Sequence, residues 1–327
     1  MIVVTGGAGF IGSNVLASME TSSNADLVVA DWVDREKAPN IDPHRVKAVV
    51  TPDDLFDFLD DNATDVELVV HMGANSSTTD PDVDLVFHYN LDYSVRLWNW
   101  CTAHGCRLIY ASSASTYGDG ADGFEDGQSR DFLRTLRPLN AYGISKHAFD
   151  MRVARFVEAG APTPPQWAGL KFFNVYGPNE YHKGDMKSIV AKMVPQIERG
   201  ETVRLFRSHR DGFRDGEQMR DFVYVRDCTS VIDWLSRNPS VSGLFNVGSG
   251  TARSFLDLTK ATFSALGVKP RIEFVDMPVH LRDRYQYFTE ASLAKLRTAG
   301  YDRPSTALEA GVSDYVRTYL MGGPRYA

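Results

Sequence analysis

The sequence predicts an α/β fold: a doubly wound parallel sheet with a smaller α/β domain towards the carboxyl end. Three observations carry this. Short β-branched runs alternate with longer helical stretches, the pattern of parallel βαβ units. Several of the runs are apolar throughout, as strands buried on both faces are. The chain has 327 residues, too many for one small core and enough for two domains or one large α/β unit.

In chain order the strand candidates are residues 2–4, 27–30, 46–50, 68–71, 107–111, 170–173 and 244–247. Pro162, Pro164 and Pro165 mark a loop ahead of the sixth. After Phe173 the alternation weakens, and residues 208–218 are polar, charged and glycine-containing, as a surface loop near a ligand would be. The strand at 244–247 reads as a return to the main sheet. The expected division is therefore 1–173 with 221–250 for one domain, and 174–220 with 251–327 for the second. There is no internal repeat and no low-complexity tract.

Composition excludes several functional classes. Hydrophobic residues at 43% and charged residues at 24% are those of a folded globular chain. A net charge of −7 argues against a dedicated nucleic-acid binder, which needs a basic face. Cys101, Cys106 and Cys228 form an odd set without CxxC spacing, so neither a disulfide framework nor a metal site is expected, and a reducing cytoplasm fits. No apolar run approaches the roughly 18 residues of a membrane span. The glycines at 6, 7, 9 and 12 interrupt the first apolar stretch, which reads as structure and not as a targeting signal.

The segment VVTGGAGFIG at 3–12 runs from a strand through glycines into a helix. Gly6, Gly9 and Gly12 allow a tight turn and close approach of the backbone to a pyrophosphate, and the helix offers free N–H groups to that anion. Such a loop alone is a weak signal. Here a strand precedes it, a helix follows, and Asp31 closes the second strand about twenty residues on, the setting of a dinucleotide-binding Rossmann unit. Asp31 suits an adenosine ribose and favours NAD, whereas Arg35 and Lys37 just beyond suit a 2′-phosphate and NADP. The residues leave that choice open.

Tyr142 and Lys146 stand four apart, on one face of a helix. A free phenol, with a pKa near 10, is a poor base at neutral pH. An ammonium about 5 Å away is worth roughly 3 kcal/mol at an effective dielectric of about 20, or about two pKa units. The spacing therefore predicts that Lys146 makes a Tyr142 phenolate accessible. Ser113 follows a strand at the sheet's carboxyl edge, where open α/β sheets bind ligands, and can hold a substrate oxygen while Tyr142 takes its proton. Glycine loop, Ser113 and Tyr142-x-x-x-Lys146 in this order point to hydride transfer at a hydroxyl-bearing carbon.

These residues resemble the extended short-chain dehydrogenase/reductase superfamily over nearly the whole chain. The Asp-Glu pair that follows the catalytic Ser or Thr in its dehydratases is replaced here by Ala114 and Ser115, which disfavours dehydration. The runs HMGANSSTT at 71–79, NVYGPNEYHKG at 174–184, RDFVYV at 220–225 and RYQ at 284–286 are similar to the ADP-L-glycero-D-manno-heptose 6-epimerase family. That resemblance implies oxidation of heptose C6 to a ketone and return of the hydride to the opposite face. Such an inversion calls for proton-transfer groups on both sides of the carbon. Tyr142 serves one side, and the family's second base falls on Lys183.

The resemblance also implies a dinucleotide, NADP with NAD as the alternative, lined by Gly6, Gly9, Phe10, Ile11, Gly12, Asp31, Trp32, Lys37, Met72, Gly73, Ala74, Asn75, Ser76, Asn90 and Lys146. Ser113, Asn174, Asp185, Lys192, Phe206, Arg220 and Tyr285 are implied for the ADP-heptose substrate, with Arg220 neutralising phosphate through its planar fork. Asp185 and Lys192 fall where the family leads one to expect a serine and a histidine. A homo-oligomer, pentamers among the family's forms, and a role in the inner core of lipopolysaccharide are implied too. Two other readings are a UDP-hexose 4-epimerase, which needs no second base at Lys183, and a noncatalytic dinucleotide sensor, which has no use for Tyr142, Lys146 and Ser113.

Overall fold

The structure is a computed structural model that describes residues 1–78, 80–282, 285–322 and 326–327. Thr79 and Arg284, both within the runs quoted above, lie outside the described residues. Seven strands form one parallel sheet: β1 (Ile2–Thr5), β2 (Leu27–Ala30), β3 (Ala48–Val50), β4 (Leu68–His71), β5 (Arg107–Ser113), β6 (Trp167–Phe172) and β7 (Gly243–Val247). Their order is β7-β6-β5-β4-β1-β2-β3. All seven are the segments the sequence marks. The ends differ: β5 runs on to Ser113, β6 starts at Trp167 and β3 starts only at Ala48.

Alternation along each strand divides the core. Val3, Val28 and Val69 face one side with Trp98 and Phe149, from the helices Tyr93–His104 and Ala141–Glu158. Ile2, Val4, Val29 and Val70 face the other with Val15, Leu16, Ile232 and Leu235, from the helices Phe10–Ser22 and Val225–Arg237. A sheet covered on both faces admits strands that are apolar throughout. Strand order reverses between β1 and β4, so the loops after these strands diverge and leave a crevice at their carboxyl ends.

A third apolar cluster underlies the remaining elements. Val190, Met193, Val194 and Ile197 of the helix Ile189–Glu198 pack with Leu258 and Phe263 of the helix Phe255–Leu266 and with Val312 and Tyr315. A three-stranded sheet pairs Met219–Tyr224 in parallel with Asn174–Tyr176 and antiparallel with Ala252–Ser254. A two-stranded sheet joins Val203–Phe206 to Ile272–Val275. No helix among the described residues is long and apolar enough to cross a membrane. Cys101, Cys106 and Cys228 are free and buried.

Candidate active site

The crevice above the sheet is a cavity of about 960 Å³. Its floor is the glycine loop. Gly6 takes a φ of +64°, in the left-handed region that glycine enters freely, and a Cβ there would stand 2.6 Å from Gly73. The Gly9 N–H donates to the Gly6 carbonyl at 2.9 Å. A Cβ on Gly12 would lie 2.1 Å from that same oxygen, so the helix can begin this close to the turn only without a side chain. Gly9 caps the helix Phe10–Ser22 with no side-chain partner and no acidic residue in the first turn. The unsatisfied N–H groups suit an anionic pyrophosphate. The donor set and the side-chain-free loop thus fit a dinucleotide.

Beside the loop, buried Asp31 accepts the Ala8 N–H at 3.1 Å and the Lys37 ammonium at 2.9 Å. Trp32 is 42% exposed and meets Tyr89 edge-on at 5.1 Å. Met72, Gly73, Ala74, Asn75 and Ser76 line the opposite wall after β4. Asn90 lies behind that wall, fully buried. Its side chain accepts the Asn75 N–H at 2.8 Å and donates to the Asn75 carbonyl at 2.9 Å and to Ser145 Oγ at 3.0 Å.

Sequence reasoning missed His71 at the end of β4. Its Nδ1 lies 2.6 Å from Thr5 Oγ1 and its Nε2 lies 2.9 Å from Ser94 Oγ. Burial, with Lys146 nearby, holds its pKa down at about 3, so the ring is neutral. Because the Ser94 hydroxyl already donates to the Asn90 carbonyl at 2.8 Å, it accepts from the ring's Nε2–H, and Nδ1 accepts from the Thr5 hydroxyl. This chain of bonds joins the β1 and β4 loop ends across the crevice. A polar residue ending an apolar strand was the available signal.

Tyr142 and Lys146 project from the helix Ala141–Glu158, whose start is fixed by Asn140 Oδ1 accepting the Gly143 N–H at 2.8 Å. Gly143 brings this helix against the end of β5: a Cβ there would sit 2.7 Å from the Ser115 carbonyl oxygen. Burial raises the Tyr142 pKa, and the nearby Ser113 hydroxyl opposes that shift without overcoming it. This corrects the expectation that Lys146 would depress Tyr142. The charge that burial penalises is the phenolate's, and the same burial brings Lys146 itself down to about 8, opposed by Asp150. At neutral pH Lys146 is still an ammonium.

The facing wall comes from the later segments. Lys183 sits in the 3-10 turn Tyr181–Met186, with its ammonium 5.2 Å from the Phe10 ring centre. Burial lowers its pKa, while the Glu180 carboxylate opposes the shift. His182, also unforeseen, lines the cavity and is pushed down to about 4 by burial and then by Lys37 and Lys183. Amide side chains join this wall to the glycine-loop helix: Asn14 donates to the Pro178 carbonyl at 3.0 Å, and Asn179 to Ser13 Oγ at 3.0 Å.

Asn174 and Arg220 line the cavity as well. The Arg220 guanidinium is buried and lies 5.3 Å from the Tyr285 ring centre. Phe206 meets Tyr285 edge-on at 6.1 Å. Phe206 and Tyr285 stand behind Arg220 without lining the cavity, and neither exposed Asp185 nor partly buried Lys192 lines it. Residues 208–218 form a loop on the outer side of this end, where the His209 N–H donates to the Tyr287 hydroxyl at 3.0 Å.

Comparisons with known proteins follow the same lines. The family described as NAD dependent epimerase/dehydratase matches residues 2–248. An ADP-L-glycero-D-manno-heptose-6-epimerase of Nitratidesulfovibrio vulgaris strain Hildenborough is 48% identical over 323 residues, covering 98% of each chain. One from Fusobacterium nucleatum is 44% identical over the full length of both. Among solved structures, the Helicobacter pylori ADP-L-glycero-D-manno-heptose-6-epimerase gives a TM-score of 0.78 at 27% identity, covering 96% of this chain and 94% of that one. The UDP-N-acetylglucosamine 4-epimerase from Methanobrevibacter ruminantium gives 0.80 at 22% identity, over 97% and 96% of the two chains, a likeness of fold alone.

Proposed function

The chain belongs to the NAD dependent epimerase/dehydratase family and, within it, to the ADP-L-glycero-D-manno-heptose-6-epimerases, and on that premise we propose that it inverts C6 of the heptose in ADP-glycero-manno-heptose. The observation that supports the reading is that Ser113, Tyr142, Lys146 and Lys183 all line one cavity with the glycine loop. When bound, the nicotinamide supplies the acceptor and donor of the hydride. Ser113 holds the C6 oxygen, Tyr142 takes the hydroxyl proton as the C–H bond at C6 gives up its hydride, and Lys146 keeps positive charge beside the phenol. The product of that half-reaction is the 6-ketone. On hydride return to the opposite face, Lys183 gives the oxygen its proton, and its lowered pKa suits that exchange.

Arg220, with Tyr285, Phe206 and Asn174 around it, is assigned to the substrate's diphosphate and nucleoside. Lys37 against Asp31 supports NADP over NAD: the carboxylate is engaged by an ammonium placed to meet a 2′-phosphate. A cytoplasmic homo-oligomer serving lipopolysaccharide inner-core synthesis, with residues 1–173 and 221–250 holding the cofactor and the rest the sugar nucleotide, completes the proposal.

A UDP-hexose 4-epimerase is not favoured, because the solved 4-epimerases share only the fold. The test is incubation of the purified protein with ADP-D-glycero-D-manno-heptose, followed by NMR at H6. Interconversion of the two epimers without net cofactor consumption is expected. Turnover of UDP-glucose that survives Lys183→Ala, with no heptose epimer formed, would overturn the reading.

A further inference from the structure

Between the Tyr142 helix and β6, where Lys171 stands opposite Ser112, lies an ion pair that none of the chemistry above uses. Asp150, two turns along the helix from Tyr142, meets Lys171 of β6 at 2.7 Å, and both side chains are 0% exposed. Burying two charges is expensive, and a well-packed apolar pair is often no less stable, so the pair calls for a use beyond stability. Its other bonds indicate one. Asp150 Oδ2 accepts the Ser112 hydroxyl at 2.7 Å. The Lys171 ammonium donates to Thr116 Oγ1 at 2.7 Å, and the Thr116 hydroxyl donates to the Ser113 carbonyl at 2.8 Å. The pair therefore holds the side chains of Ser112 and Thr116, on either side of Ser113, and ties that segment to the helix that carries Tyr142.

We propose that Asp150 and Lys171 are positioning residues that set the Ser113 hydroxyl against the Tyr142 phenol. Charged hydrogen bonds are shorter and more directional than neutral ones, which suits a contact that must hold its geometry through both halves of a reaction. The inference rests on Ser113 and Tyr142 acting as assigned above, but not on the identity of the sugar.

The decisive variant is the double one, Asp150→Asn with Lys171→Met, assayed as the dinucleotide-bound enzyme. Either single change leaves an unpaired buried charge and is expected to unfold or melt early, whereas removing both charges restores the fold. A merely structural pair would then give back full activity. A positioning pair is expected to leave kcat at least about tenfold low with KM within about twofold, because misplacement acts on the reacting geometry and not on substrate binding. Ser112→Ala and Thr116→Val, which each remove one hydrogen bond to the pair and leave both charges in place, are expected to lower kcat by a smaller factor with only a small fall in melting temperature. Wild-type kcat in the folded double variant, or in both link variants should the double one fail to fold, overturns the proposal.

A second readout needs no sugar nucleotide and so separates failure of this inference from failure of the C6 assignment. The Tyr142 phenol is titrated by ultraviolet difference spectroscopy against Tyr142→Phe. Its ionisation is expected to move to higher pH by about one unit in the double variant, since the Ser113 hydroxyl no longer favours the phenolate. An unmoved titration would also overturn the proposal.

Discussion

The two walls of the cavity are built from different materials. The cofactor wall, at Gly6 to Gly12 and Met72 to Ser76, presents mainly backbone, and its shape depends on side chains that are absent: Gly12 has no room for a Cβ. The opposite wall, at Lys183 and Arg220, is made of long cationic side chains brought together from separate segments. Backbone donors fixed by a strand and a helix can hold any ligand with the same pyrophosphate, whereas side chains on loops choose among ligands. On the proposed function, one wall serves a shared chemistry and the other a particular substrate.

Substitutions can break that contrast. Tyr142→Phe carries the largest expected loss, at least about a hundredfold in kcat, because it removes the group assigned to the proton on one face of C6. Stopped-flow or NMR turnover checks it, and an unchanged rate would remove Tyr142 from the chemistry. Lys183→Ala is expected to cut epimer formation by roughly a hundredfold. Dinucleotide affinity, measured by fluorescence titration, should stay within about twofold, and a large fall there would mean that the walls are not separable.

Gly12→Ala should act on the other wall. Overpacking of this kind costs about 1–3 kcal/mol, so dinucleotide affinity should fall by roughly tenfold or more while any residual bound enzyme keeps its kcat. The smallest effect is that of pH. A lysine is charged below its pKa, so the Lys146 ammonium is present below about 8 and lost above it. The rate should therefore decline as pH rises through that value, and a flat profile up to pH 10 would show that the cofactor-bound site holds the lysine proton far more tightly.

How much of this was legible follows the same contrast. The seven sheet strands could be read because a strand covered on both faces must be apolar, and the glycine loop because a tight turn excludes other residues. Tyr142, Lys146 and Ser113 could be read from spacing and from their place at a strand end. The electrostatics could not: four-residue spacing puts Lys146 near Tyr142 but says nothing of the burial that raises the Tyr142 pKa. His71 and His182 stand in the quoted runs without a role, and the Asp150–Lys171 pair has no sequence signal, because their partners are distant in sequence, at Thr5, Asn40 and across a helix and a strand. Asp185 and Lys192, taken from a motif alone, were assigned without regard to which way their turn and helix face.

Gly143 is the third residue of its helix, where alanine would be preferred by at most about 1 kcal/mol, yet a methyl group there would meet the Ser115 carbonyl at 2.7 Å. The gain in helix propensity and the crowding have opposite signs, so an alanine allele need not change the amount of folded protein. It would change the gap between hydroxyl and phenol. In a genetic screen such an allele would present as a hypomorph at normal abundance, invisible to any selection for stability and visible only to one for flux.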